Sequence, residues 1–248
     1  QLVGDGTLTL APELPFRATL AATVRDERVP ETLRPLELEL RAEGERSRWA
    51  GTLALAAPLG SGVDLDASFD LALDPDAVWG LAGAAELRLV DPIELDARSL
   101  RSAGLVVQAD RAGLAWRLAA RAEGLVPEPL SLGAHGRLEP EALEVASLAA
   151  VTGIARLEAD GRLELAAPRA FTARLDATDL DATTLVPEGA LRATELGIAT
   201  RVEGRLDARR LRTRDLEVTG RWNGQPVSVR GDLLAALLER GQRLLNRL

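Results

Sequence analysis

The sequence contains no cysteine, methionine, tyrosine or lysine, a single histidine, and only four tryptophans and three phenylalanines in 248 residues. Without cysteine there is neither a disulfide framework nor a thiolate metal site, and either redox compartment is compatible with the composition. His135, in Gly133-Ala134-His135-Gly136, has no second histidine to join it, so a histidine-based triad or a histidine-rich metal centre lacks its parts and the residue reads as part of a turn or strand. Long apolar runs are missing too. The stretches free of charge, such as Ser102 to Val107 or Ser147 to Ala155, fall far short of the ~20 residues needed to span a bilayer. This piece of chain therefore reads as soluble or peripheral.

Basic charge is carried by arginine alone: 30 arginines against 38 acids give a net charge of -8 and a pI near 4.9. Nucleic acid is repelled on average. Docking on an anionic lipid surface through charge alone is also disfavoured, because it needs clustered basic residues and none stands out. Phosphate-cradling loops are absent, since Gly4-Asp5-Gly6 and Gly60-Ser61-Gly62 lack the third glycine of a dinucleotide-binding turn and there is no Walker A sequence. Asp64, Asp66 and Asp70 lie on one face, where alternate positions are about 7 Å apart, and could gather calcium, but no glycine-punctuated ligand loop accompanies them. They read as a solvated face. Carboxylate pairs for glycoside hydrolysis come without an aromatic sugar platform. No catalytic residues, cofactor or metal are expected, and the chain is not read as an enzyme.

What the sequence does contain is alternation. With 46% hydrophobic and 27% charged residues it can bury a sizeable apolar surface, and the apolar half is mostly leucine, alanine and valine. From Val63 to Leu73 the residues Val63, Leu65, Ala67, Phe69, Leu71 and Leu73 share one face, while Asp64, Asp66, Ser68, Asp70 and Ala72 share the other. Successive side chains of a strand point to opposite faces, so this is a strand with one greasy and one wet side. The pattern recurs in Leu36 to Leu40, Leu114 to Leu118, Leu163 to Leu165, Phe171 to Ala177 and Leu216 to Val218, with Trp222 further on. Alternation outweighs the weak strand propensity of leucine and alanine.

Short breaks bearing proline or glycine separate the runs: 57–62, 74–76, 126–129, 167–169 and 186–189. Such connections favour antiparallel neighbours. Roughly sixteen strands fit, and at ~4.8 Å each a single stack would run ~77 Å, longer than an ordinary compact sheet. A loose repeat, Gly-x-Leu beginning at Gly6, Gly51, Gly136, Gly161 and Gly204, is expected to open alternating runs, although its spacings of 45, 85, 25 and 43 exclude a strict solenoid. At the end the period changes. Leu233, Leu234, Leu237, Leu238, Leu244, Leu245 and Leu248 form a helical stripe behind Asp232 as N-cap, which predicts strands over 1–231 and an amphipathic helix over 232–248. On that reading Arg230-Gly231-Asp232 joins the last strand to the helix. The chain opens at Gln1 within a turn-and-strand pattern, as a fragment or processed protein would, and any signal or anchor would then lie outside it.

The stretch Thr152-Gly153-Ile154-Ala155-Arg156-Leu157-Glu158-Ala159-Asp160-Gly161-Arg162-Leu163-Glu164-Leu165, then Phe171 to Asp181, Leu185-Val186-Pro187, Val202 to Leu206, Leu211 to Leu216 and Gly220 to Gly231, resembles the repeats of the TamB family of the AsmA-like superfamily. About 100 residues carry the likeness. Residues 1–150 share its texture but not its wording. The resemblance implies an all-β, elongated antiparallel half-open sheet curled like a taco around an apolar groove. It further implies a periplasmic protein tethered to the inner membrane by a segment outside this chain. Such proteins are thought to conduct phospholipid acyl chains between membranes and to work with an outer-membrane barrel of the TamA or BamA type. On that expectation Phe69, Leu71, Leu73, Trp116, Leu118, Phe171 and Leu175 face the groove. A closed β-sandwich, barrel or β-helix scaffold or adhesin needs the same alternation, and the sequence leaves the choice between open and closed undecided.

Overall fold

The computed structural model describes residues 2–8, 15–24, 36–57, 63–95, 98–181, 183, 193–207 and 210–236. Nearly all of them are antiparallel β-structure, divided into two compact units at Leu125/Val126. That division falls within the region 1–231 that its alternation alone presents as one.

The first unit holds β1 (Leu2–Leu8), β2 (Phe16–Val24), β3 (Leu36–Gly44), β4 (Arg48–Ala57), β5 (Val63–Leu73), β6 (Leu81–Leu89), β7 (Ile93–Leu95), β8 (Arg98–Asp110) and β9 (Gly113–Glu123). Its sheet runs β1-β2-β3-β4-β5-β6-β8-β9. Skipping β7 is not a crossover. Pro92, which has no N–H to donate, interrupts the chain after β6, and β7 resumes on the same edge, pairing with Arg98 to Leu100 while β6 pairs with Gly104 to Ala109. Arg101 fastens this junction by donating to Glu94 at 2.8 Å and to Glu123 at 2.7 Å.

The second unit holds β10 (Leu130–Leu138), β11 (Ala142–Thr152), β12 (Ala155–Glu164), β13 (Ala170–Leu180), β14 (Ala193–Arg205), β15 (Arg210–Trp222) and β16 (Gln225–Ala236), each paired with the next. In neither unit do the first and last strands pair with each other, so neither sheet closes into a barrel. Among the described residues each unit is a single layer, which also departs from a two-sheet sandwich.

Three details correct the expectations from sequence. Strand geometry continues through Ala236, with Leu233 opposite Thr213 and Leu234 opposite Arg212, so Asp232 does not cap a helix. Its carboxylate instead accepts from the backbone N–H of Asp215 at 3.1 Å and lies 3.7 Å from Arg212. Ladder pairing with β15 supersedes the helical spacing of the leucines at 233 and 234, and Arg230-Gly231-Asp232 lies inside β16. Residues 237–248, the rest of the expected helix, and the expected breaks at 58–62 and 186–189 lie outside the described residues.

Second, the Gly-x-Leu repeats lie within strands or run out of them; none opens one. Each of these glycines stands opposite a residue of the apolar face: Gly6 opposite Ala18, Gly51 opposite Phe69, Gly136 opposite Val145, Gly161 opposite Ala173 and Gly204 opposite Phe171. At Gly51 an added Cβ would come within 2.6 Å of the Phe69 Cζ, so the missing side chain gives the ring its seat.

Third, the second unit breaks strict alternation without losing its apolar face. Ala177-Thr178-Asp179-Leu180, Ala193-Thr194-Glu195-Leu196 and Thr213-Arg214-Asp215-Leu216 each advance three residues where two would be expected, at register shifts of the ladder. Asp179, Glu195 and Asp215 absorb the extra residue with φ of 54°, 53° and 54°. Left-handed backbone is tolerable for aspartate, and a bulge of this kind restores the phase of every apolar residue beyond it.

Candidate functional site

Cross-strand register assembles the apolar face row by row. In the first unit, directly opposed residues form the line Leu20, Leu40, Leu53, Ala67, Leu87, Leu105, Leu118 across seven neighbouring strands. Flanking it on one side are Ala18, Ala42, Gly51, Phe69, Ala85, Val107 and Trp116, and then Phe16, Gly44, Trp49, Leu71, Gly83, Ala109 and Leu114. On the other side are Ala22, Leu38, Leu55, Leu65 and Leu89. At standard strand and residue spacings the four rows cover roughly 29 Å by 20 Å, about 600 Å². That is the upper end of what a monomeric protein exposes without a ligand or partner.

The second unit builds a comparable line from Leu132, Ala150, Leu157, Ala177, Ile198, Val218 and Val229. Opposed directly or by a shift of two along the strand, cross-strand side chains touch one another and stabilise the sheet. They leave the outward surface of the face open.

Exposure agrees. Among the described residues no large side chain is fully buried, and the buried hydrophobic residues are all alanines: Ala77, Ala109, Ala134, Ala142, Ala177 and Ala193. A core sealed between two layers would instead bury its leucines and aromatics. Phe69, Leu71, Leu73, Trp116 and Leu118 share the one apolar face of the first unit; Leu73 is 48% exposed and the other four are half-buried. Phe171 and Leu175 share the apolar face of the second unit, half-buried, opposite Leu163 and Ala159 in rows separated by that of Gly161 and Ala173. Sequence reasoning missed Leu20, Leu53, Leu87 and Leu105, four of the seven residues of the first row. Each lies in a run whose own alternation is visible, but only the register aligns them.

The opposite face is charged and laced with ion pairs. Arg17 meets Glu43 at 3.0 Å, Arg48 meets Asp70 at 2.6 Å, Arg214 meets Glu203 at 2.7 Å and Arg230 meets Glu217 at 2.6 Å. Asp64, Asp66 and Asp70 lie on this face, as their alternation predicts, with Asp70 committed to Arg48. His135 is an exposed residue of β10 at a register shift. The depressions of the surface also lie largely here, one between Glu39, Arg41, Asp66 and Arg88 and another between Asp160, Arg162, Arg174 and Arg201. They are gaps between long charged side chains standing over small residues such as Ala54 and Gly161.

The ionisation shifts at Arg48, Arg101 and Arg162, all upward, and at Asp70, downward, arise in these exposed pairs. Hydrogen bonds from the Arg48 guanidinium are what chiefly hold the Asp70 carboxyl below its ordinary range. A carboxylate easier to ionise in the folded than in the unfolded chain adds stability above its unfolded pKa of about 3.9, and that stability is lost as pH falls through the folded value. Asp70→Asn should therefore lower the urea midpoint near neutral pH, and the difference from the wild type should close as pH falls through the folded value of the Asp70 carboxyl. Midpoints that differ equally at both ends would sink this account.

No protein-family model, curated protein or solved structure matches the chain. What the fold offers to a ligand is the apolar face. Its chemistry is dispersion and the exclusion of water: it can hold hydrocarbon along the rows, at ~0.8 kcal/mol for each CH₂ hidden from water. None of the described helices is long and apolar enough to cross a membrane.

Proposed function

We propose that this chain is a non-enzymatic lipid-conduit segment of a TamB/AsmA-like periplasmic bridge, moving phospholipid between inner and outer membranes and supporting outer-membrane assembly. The observation that carries the reading is the aliphatic row, unbroken over seven strands in each unit and open on its outer side. An acyl chain needs an unbroken apolar path of this kind, and its headgroup can remain in solvent. The catalytic groups that the sequence lacks are not needed by such a path.

In this reading the chain works in the periplasm, held to the inner membrane by a segment outside it, and the full-length protein meets an outer-membrane barrel of the TamA or BamA type. The resemblance of residues 152–231 to TamB repeats supports that placement. The test is organic extraction of the purified chain followed by lipid mass spectrometry. Phospholipid recovered at near-stoichiometric amounts is the expected result. Recovery no greater than from a water-soluble protein of similar size purified in parallel would overturn the proposal.

A further inference from the structure

The apolar face of the first unit is not uniform along its strands. Four of the seven aromatic residues of the chain, Phe16, Trp49, Phe69 and Trp116, fall in two adjacent rows, and the other two rows contain none. Both aromatic rows lie toward the strand ends that carry the turns 45–47, 74–80 and 111–112. Trp79, in the middle of those turns, is 43% exposed. One edge of the face is thus aromatic, while the rows that begin at Leu20 and Ala22 are wholly aliphatic.

The indole Nε1 of Trp116 is buried and has no hydrogen-bond partner. A buried donor without an acceptor costs free energy that a bound group could return. Tryptophan combines an apolar body with one polar N–H, and so collects where an apolar medium meets a polar one. Charge is close at hand on the same edge, where Arg111 lies 3.6 Å from Asp74 and 3.5 Å from Asp76.

Resting on the lipid reading above, we infer that the aromatic edge fixes the orientation of the bound lipid. The ester junction of a phospholipid lies along the Trp49, Phe69 and Trp116 band, with its hydrocarbon in the aliphatic rows and its headgroup toward the 74–80 turn. On binding, the Trp116 ring turns so that Nε1, covered in the empty face, donates to an ester carbonyl. The residue acts as a reader of the ester and not merely as greasy surface.

Tryptophan fluorescence reads this directly. Trp222→Phe leaves the three tryptophans of the first unit, all at the aromatic edge. Phosphatidylcholine brominated near the ester end of its acyl chains should quench their emission more strongly than the same lipid brominated near the terminal methyl. In a second arm, Trp116→Phe should lower retention of ester-linked phosphatidylcholine about fivefold relative to its ether-linked analogue, the worth of one hydrogen bond. Phenylalanine keeps the apolar body of the residue, and circular dichroism checks that the strands persist. Quenching equal or stronger from the methyl end, or equal loss of both lipids, overturns the orientation and leaves the conduit reading standing. Failure of the unsubstituted chain to retain either lipid overturns the conduit reading and this inference with it.

Discussion

Replacing Leu71 with aspartate is expected to lower the phospholipid recovered with the protein by at least about tenfold, while far-ultraviolet circular dichroism keeps its strand signal. A tenfold change corresponds to only ~1.4 kcal/mol, and a carboxylate facing hydrocarbon costs more than that. Leu71 stands directly opposite Trp49 on one side and Gly83 on the other, on the apolar face and half-buried. Because no second layer covers it among the described residues, the new carboxylate can reach water whenever the face is empty. The fold then tolerates what the ligand does not.

Ala72→Asp supplies the control. That residue is next along the strand, points to the charged face and lies opposite Arg48, so an acid there gains a cationic neighbour and should leave lipid recovery unchanged. Two outcomes would count against the open face. One is loss of strand signal in Leu71→Asp, the behaviour of a sealed core; the other is lipid recovered in full.

The largest loss of stability is expected at Gly83. Its φ of +135° is one that side-chain-bearing residues rarely adopt, and an added Cβ would lie 2.1 Å from the Asp70 carbonyl oxygen and 2.9 Å from the Leu71 Cα. Both obstacles are backbone atoms of the neighbouring strand, so relief requires the sheet itself to move. Gly83→Ala should cost about 2–4 kcal/mol, combining backbone strain with overpacking. With an m value of ~2 kcal/mol/M in urea, the midpoint falls by roughly 1–2 M. At Gly133, where an added Cβ meets no atom within 4 Å, the same substitution should be neutral or stabilise by up to ~1 kcal/mol by restricting the unfolded chain. Equal midpoints for the two variants would show that the close approach at Gly83 is not rigid.

Much of this architecture is legible in the order of residues. Period-two alternation in runs such as Val63 to Leu73 needs no partner to be recognised, because the pleat alone assigns each side chain to a face. Short proline- and glycine-bearing breaks then imply antiparallel neighbours, as between β5 and β6 or between β12 and β13. The terminal leucines mislead for a physical reason. Spacing at 233, 234, 237 and 238 satisfies a helical stripe, but it cannot register that β15 offers a free edge to residues as far as Ala236.

The bulges escape as well. Asp179, Glu195 and Asp215 each break the alternation by one residue, and a lone break in phase reads as the end of a strand unless the partner strand is known. A signal is nonetheless present, since Thr178-Asp179-Leu180, Thr194-Glu195-Leu196 and Arg214-Asp215-Leu216 repeat a polar-acid-leucine triplet.

Two-sided strands, their antiparallel succession and the aliphatic character of one side follow from the amino-acid sequence unaided, because they depend on bonds and neighbours along the chain. That the sheets stay open, that the leucines line up into rows and that four aromatics gather at one edge was settled at the tertiary level. Those properties depend on the register between strands and, among the described residues, on the absence of a covering layer, which arise from contacts between residues distant in sequence and leave no period within any one strand.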